Sequence, residues 1–376
     1  MSEQFFSIQQ KSSECPARTG IMKLPHGDVT TPVFMPVGTN GTVKAMTNEA
    51  LNEIGFEIIL GNTYHLYLRP GTDVIQKCGS LHDFSKWQKN ILTDSGGFQI
   101  FSLPSLRKIT EEGAKFRSHI DGSEHFLTPE KVVDIQTALN SDIQMQLDVC
   151  SPYESPWKKA LGALIITEKW LNRAKQRWNE KCDEGYQGKF FSIVQGNFFK
   201  DLREKSAESA CAAGISGIAI GGLSVGEPHE VFSEYLSFTS ALLPQEKPRY
   251  VMGIGTPDYI LEAIENGIDM FDCVLPTRLA RNGQLITHKG NLLLKKSGYE
   301  TDFNPVDPVC NCHVCKTYSR AYMHHLFKTK EILFSMLSSY HNLFFLHNLV
   351  LKARMAIQQD CFLSFKKEFL KKYYGS

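Results

Sequence analysis

Apolar residues in this chain come in short dense runs, each followed by polar or glycine-bearing stretches. Eight such runs stand out: Pro32–Val37, Phe56–Leu60, Asn90–Thr93, Ile143–Leu147, Phe190–Val194, Gly217–Ile220, Tyr250–Gly253 and Ile268–Phe271. Apolar positions within them are close to continuous. That is the pattern of parallel strands covered on both faces, not of half-exposed antiparallel ones. Helical spacing fills several gaps. Thr128–Leu139 opens on a capping threonine with a first-turn proline. Trp157–Cys182, Leu202–Ala213 and Pro257–Glu265 place apolar residues three and four apart. Strands alternating with helices predict a parallel α/β architecture, and eight repeats predict a closed (β/α)8 TIM barrel over an open doubly wound sheet.

The flanks read differently. Phe5–Pro32 alternates polar and apolar residues, with turn signals at Gly20 and at Pro25-His26-Gly27, and predicts an antiparallel hairpin capping one barrel end. Gln284–Leu294 predicts a second hairpin, followed by a cysteine cluster and one long amphipathic helix from Ser338 to about Lys367. The expected division is an N-terminal β cap (1–31), the barrel (32–300), an inserted metal-binding subdomain (301–345) and a C-terminal helix completing the barrel (346–376).

With 376 residues and a formal net charge of +1, the chain has no global polyanion-binding signature, so a nucleic-acid partner needs a local basic surface. No apolar run approaches the roughly 20 residues of a membrane span. The N-terminus lacks the basic start and long apolar stretch of a secretory signal, so a cytoplasmic location and no membrane partner are expected. Most of the ten cysteines are scattered singly in apolar contexts, as reduced buried thiols are.

In such a barrel the active site lies at the C-terminal ends of the strands. The third run ends in Asp94, Ser95, Gly96, Gly97 and Phe98, and the fourth delivers Asp148. The fifth ends in Gln195, the sixth in Gly221, Gly222 and Leu223, the seventh in Met252 and the eighth in Asp272. Three carboxylates, an amide and several glycines therefore converge on one rim. Aspartate and glutamine can read the edge of a planar heterocycle, and glycines let the backbone approach it closely. Two further carboxylates suit acid/base and nucleophilic work at a glycosidic carbon. Each residue alone reads equally well as a turn or cap, and Phe98 and Met252 as core.

Cys310, Cys312 and Cys315, with a histidine beyond them, have the spacing of a closed tetrahedral zinc shell, structural because no position stays open. His341 is the expected fourth ligand. His324, His325 and His347 lie near it in sequence, and His313, between the thiols, is poorly placed to close the shell.

These motifs together resemble the bacterial tRNA-guanine transglycosylases (queuine tRNA-ribosyltransferases), nearly end to end. The resemblance runs through Phe34-Met-Pro-Val-Gly-Thr, Gly61-Asn-Thr-Tyr-His-Leu, Leu92-Thr-Asp-Ser-Gly-Gly-Phe-Gln, Ile220-Gly-Gly-Leu-Ser-Val-Gly-Glu, Tyr250-Val-Met-Gly-Ile-Gly-Thr-Pro and Phe271-Asp-Cys-Val-Leu-Pro-Thr-Arg. It implies a (β/α)8 barrel with one structural zinc ion per subunit. It implies Asp272 as the nucleophile at C1′ of the wobble guanosine and Asp94 as general acid/base. Asp148, Gln195 and Gly222 match the base-recognition set, Leu223 with Glu227 behind it the contact to an aminomethyl substituent, and Phe98 and Met252 the stacking pair. Two segments match the groove for the tRNA anticodon loop. One is Gly253, Ile254, Gly255, Thr256, Pro257, Asp258 and Tyr259; the other is Thr277, Arg278, Leu279, Ala280 and Arg281. The resemblance also implies a homodimer, with Phe84, Tyr318, Tyr322 and His325 as an aromatic contact and Lys44 and Glu331 as a cross-subunit ion pair.

One departure stands out. Relatives commonly carry Asp-Glu-Cys where this chain has Asp148-Val149-Cys150. The expected incoming base is 7-aminomethyl-7-deazaguanine (preQ1), with queuine as the alternative. The rival readings are a non-catalytic RNA-binding subunit of the same fold, a barrel hydrolase with a catalytic zinc ion, and the archaeal type of the enzyme. Both Asp94 and Asp272 are retained against the first, the closed metal shell stands against the second, and the chain's length against the third.

Overall fold

The computed structural model describes residues 4–101 and 107–375. Its strands, in chain order, are β1 (Phe6–Lys11), β2 (Arg18–Leu24), β3 (Gly27–Thr31), β4 (Val33–Gly38), β5 (Ile58–Gly61), β6 (Asn90–Thr93), β7 (Arg107–Ile109), β8 (Ala114–Arg117), β9 (Glu124–Leu127), β10 (Ile143–Met145), β11 (Lys189–Val194), β12 (Gly217–Ile220), β13 (Arg249–Val251), β14 (Met270–Cys273), β15 (Gln284–Thr287) and β16 (Gly290–Leu293). The eight expected runs all become strands. They pair in parallel and close in the order β4-β5-β6-β10-β11-β12-β13-β14, with β14 returning to β4. Their ends shift by a residue or two, as where Phe56–Leu60 resolves into Ile58–Gly61.

Two layers of apolar packing explain the continuous runs. Inside the barrel, Met35, Val37, Leu60, Leu92, Met145, Phe191, Ile193 and Met270 fill the lumen. Outside, residues such as Ile59, Ile91, Ile218, Ile220 and Phe271 meet the surrounding helices. The cap is a three-stranded antiparallel sheet, β1-β2-β3, one strand more than a hairpin. It plugs the barrel floor with Phe6, Met22, Leu24 and Val29. Arg18 of β2 pins it to the start of the eighth barrel strand, donating from Nη2 to Asp269 at 2.6 Å.

Expected helices form over Pro129–Ala138, Trp157–Asp183, Lys200–Ala212 and Pro257–Glu265. The Thr128 side chain accepts from the Lys131 amide, closing the first of them as its sequence predicts. β15 and β16 form the predicted second hairpin.

The long C-terminal helix is corrected. It begins at Ile332, not Ser338, and ends at Gln358; a separate helix spans Phe362–Tyr374. Asp360 sits between them in the left-handed region (φ 52°), and its carboxylate accepts from the Ser12 hydroxyl and the Ser13 amide. The break is thus held by the N-terminal segment, far away in sequence. Sequence analysis also left β7-β8-β9, an antiparallel sheet inserted between the third and fourth barrel strands, without an assignment.

Candidate functional site

The rim residues meet. Asp94 follows directly on β6, Gln195 on β11 and Gly221–Gly222 on β12; Asp148 lies just beyond β10, and Asp272 is the third residue of β14. Asp94 is held from three directions. Its Oδ1 accepts from the Thr63 amide at 2.8 Å and the Gly96 amide at 3.1 Å, and its Oδ2 from Asn62 Nδ2 at 2.6 Å. Burial nevertheless raises its pKa to about 7; the hydrogen bonds oppose this, and the negative charge of Asp272 adds to it. The two carboxylates therefore lie within Coulombic reach of each other.

Asp272 Oδ1 accepts from the Tyr250 hydroxyl at 2.5 Å and the Gly253 amide at 3.0 Å. Its Oδ2 accepts from no other residue among those described. Among the described residues, neighbouring donors hold one oxygen and not the other, the arrangement an attacking carboxylate needs. Burial raises the pKa of Asp272, and the Tyr250 and Gly253 donors counter it.

Asp148 is buried, and its Oδ2 accepts from Gln195 Nε2 at 2.6 Å. Burial lifts its pKa to about 6. Gly221 and Gly222 press against the same amide. A Cβ on either would stand 2.7 Å from a Gln195 side-chain atom, and Gly222 also has φ +68°, so glycine is required at both by space and the second by conformation. Beyond Leu223, Glu227 accepts from the Ser224 amide and, at 2.8 Å, from the Val225 amide, bracing that loop from behind. The Phe98 ring is 62% exposed at the rim, and Met252 is half-buried, packed against the lumen cluster. Val149 is buried in the main apolar cluster and brings no charge to the pocket.

The two segments expected to line a groove are mixed. Ile254, Gly255 and Pro257 pack inward, while Gly253 is exposed. Tyr259 is half-buried, its ring centroid 4.5 Å from that of Phe232. Thr277 and Ala280 face the core of a short helix, Leu275–Arg281, whose Arg278 and Arg281 lie one turn apart and exposed; Leu279 is half-buried.

The metal group is compact. Cys310, Cys312, Cys315 and His341 are all buried, and their ligand atoms lie within 4.8 Å of one another. His341 Nδ1 stands 3.9, 3.4 and 3.3 Å from the three sulfurs in turn. Its other nitrogen, Nε2, is 2.8 Å from the Ile286 carbonyl, which only accepts. The proton therefore sits on Nε2 and the Nδ1 lone pair faces the thiols, as a ligand must. This fits a metal ion. The other histidines are engaged elsewhere: His324 with the Leu294 carbonyl, and His347 against Phe56. A second group, His26, His82 and Asp142, sits under the barrel. Its two imidazoles are stacked, 3.7 Å apart and 16° from parallel, so their in-plane lone pairs cannot meet on one ion. Instead His26 and His82 pair with separate oxygens of Asp142, at 2.6 and 3.1 Å, clasping the cap to the barrel.

The sequence pointed to Asp94, Asp148, Gln195 and Asp272 but gave no role to Asn62, Thr63 or Tyr250. They stand inside two of the motifs that carry the resemblance, Gly61-Asn-Thr-Tyr-His-Leu and Tyr250-Val-Met-Gly-Ile-Gly-Thr-Pro, but an Asn-Thr pair and a strand tyrosine are too common for residue type alone to give them a role.

The family model for queuine tRNA-ribosyltransferase matches residues 12–375. The chain belongs to that family. It is 59% identical over 371 residues to the queuine tRNA-ribosyltransferase of Treponema denticola, covering 99% of this chain and 98% of that one. Identity is 54% over 371 residues to the protein of that name in Caldanaerobacter subterraneus subsp. tengcongensis, with 99% and 98% covered. Against that of Borrelia hermsii it is 51% over 368 residues, 98% of each. This family member is therefore an enzyme, a transferase of the tRNA-guanine transglycosylase kind. No helix among the described residues is long and apolar enough to cross a membrane.

Proposed function

We propose that this chain exchanges the wobble guanine of tRNAs with GUN anticodons (those for aspartate, asparagine, histidine and tyrosine) for preQ1, by double displacement. The reading is carried by Asp272: one oxygen is pinned by Tyr250 and Gly253, and the carboxylate stands within Coulombic reach of Asp94. Oδ2 of Asp272 attacks C1′ of guanosine. The C1′–N9 bond breaks, its electron pair leaves with guanine, and Asp94 supplies the proton. The incoming base then attacks C1′ through N9, Asp94 takes its proton, and the Asp272–C1′ ester bond breaks. A group with a pKa near 7 suits both transfers at neutral pH. Asp148 accepts from the N1 and exocyclic N–H edge of the base, Gln195 and the Gly222 amide reach its carbonyl, and Phe98 and Met252 stack its faces, as an extruded nucleobase requires.

Arg278 and Arg281 hold the anticodon-loop phosphates beside this acidic cavity. Cys310, Cys312, Cys315 and His341 hold zinc, which here supplies only structure. Exposed apolar side chains at Phe84, Tyr322 and Ile332, with Tyr318 and Tyr322 stacked 5.3 Å apart, support a homodimer. A cytoplasmic location follows from the tRNA substrate.

Because Val149 brings no carboxylate, preference for a cationic base rests on Glu227 and the backbone it braces. Incorporation of preQ1 and of queuine into one tRNA is the test: preQ1 is expected to show the higher kcat/KM, and equal or better use of queuine would reverse the assignment. A second expectation concerns pH. Asp94 must be ionised to accept a proton from the incoming base, and esterification of Asp272 removes the charge that helps to raise its pKa, so kcat/KM for that base should rise with pH and level off no higher than about 7. A flat profile from pH 5 to 8 would remove Asp94 from that role.

A further inference from the structure

Arg203, in the helix Lys200–Ala212, is fully buried. No carboxylate pairs with it among the described residues. Its donors go to backbone: Nε to the Asn197 carbonyl at 2.8 Å, and Nη1 to the Gly221 carbonyl at 2.8 Å and the Val194 carbonyl at 3.3 Å. Nη2 has no hydrogen-bond partner among the described residues and lies 3.4 Å from where a Cβ on Gly222 would stand.

Those three carbonyls belong to the parts that build the base pocket. Val194 is the last residue of β11 and precedes Gln195; Gly221 follows β12 and precedes Gly222. Asn197 holds a left-handed conformation (φ 52°), and its side-chain amide donates to the Ser151 carbonyl at 3.3 Å and the Pro152 carbonyl at 2.7 Å, just beyond Asp148–Cys150. One planar guanidinium thus ties the segment after β11 to the one after β12 from behind, and the Asn197 side chain extends the tie to the Ser151–Pro152 loop. An unpaired buried cation costs stability that an apolar residue of similar volume would not. What it contributes in return is a second tie between the ends of β11 and β12, added to the ladder that joins Val194 to Ile220 and the Gly221 amide to the Val194 carbonyl.

We propose that Arg203 is a positioning residue for the free base: it sets the spacing of the Gly221–Gly222 edge against Gln195 and Asp148, and so determines base affinity without touching RNA. The inference rests on the site reading given above. A base clamped between Asp148 and the Gly222 amide is sensitive to small displacements of either wall, whereas the anticodon loop binds at Arg278 and Arg281, on another element.

The test is exchange of labelled guanine into tRNA by the wild type, R203K and R203M, with thermal melting in parallel. All are assayed below their melting temperatures. The guanine KM is expected to rise about tenfold or more in R203M, with kcat falling less and tRNA affinity within about twofold of wild type. R203K, which keeps the charge but cannot span three carbonyls, should recover only part of that loss. If R203M does not fold, R203K decides by the same split. A folded variant with unchanged guanine KM, or with tRNA affinity falling in step, overturns the proposal and leaves Arg203 a structural residue. An exchange-inactive wild type removes instead the reading of the site, and this inference with it.

Discussion

Asp272→Asn should bring base exchange down by on the order of 10³-fold or more in kcat, while leaving the fold and tRNA binding in place. The substitution is isosteric, and its amide oxygen can still accept from the Tyr250 hydroxyl and the Gly253 amide that hold Oδ1 today. What is lost is the second, open oxygen as a charged nucleophile. Single-turnover release of labelled guanine from tRNA measures this directly. A variant within about tenfold of wild type would mean that another group attacks C1′ or that water does so without a covalent stage. Loss of the Asp272 charge also lifts the repulsion that raises the Asp94 pKa, so the chemistry is lost while Asp94 becomes easier to ionise.

Removing the metal should have a comparably large effect by a different route. Structural zinc in small modules contributes about 10–16 kcal/mol at neutral pH, more than the net stability of many whole domains. Its effect should reach the RNA groove through two adjacent residues of the helix Ile332–Gln358. His341, the metal ligand, also donates to Ile286 in β15. Its neighbour Asn342 donates to the Pro276 carbonyl at 2.9 Å and accepts from the Ile286 amide at 2.9 Å. Pro276 lies in the helix that carries Arg278 and Arg281. Cys312→Ser, or exhaustive chelation, should therefore release the stretch from about 297 to 331 to proteolysis. It should weaken tRNA binding by about tenfold or more while the closed barrel persists. Full tRNA affinity in metal-free protein would break the link between metal and groove.

The barrel was legible because its strands are buried on both faces, which writes a nearly continuous apolar run into the sequence wherever one occurs. The rim was legible for a related reason. Once strand ends are known, Asp94, Asp148, Gln195 and Asp272 fall at them, and the fold rule makes that position meaningful. The split of the C-terminal helix was not legible, because helical apolar spacing continues across it; the break is set by Ser12 and Ser13 bonding to Asp360 from the other end of the chain. β7, β8 and β9 escaped because they are three or four residues long with charged positions interleaved. Several nearby histidines left the candidate fourth ligand ambiguous in the sequence; the structure groups His341 with the three thiols, its Nδ1 facing them and its Nε2 on the Ile286 carbonyl. Tyr250 and Arg203 are the clearest cases of the remainder. Each is an ordinary residue in an ordinary strand or helix, and only the carboxylate or carbonyls it meets on neighbouring elements give it a role.

The most direct measurement mixes the enzyme with a minimal anticodon stem-loop carrying the wobble guanosine, quenches it under denaturing conditions and looks for protein–RNA adduct on a gel. The account predicts an adduct with wild-type protein, its ribosyl ester mapping to Asp272, and none with Asp272→Asn. An adduct of equal yield in that variant, or one mapping to a different side chain, would contradict it.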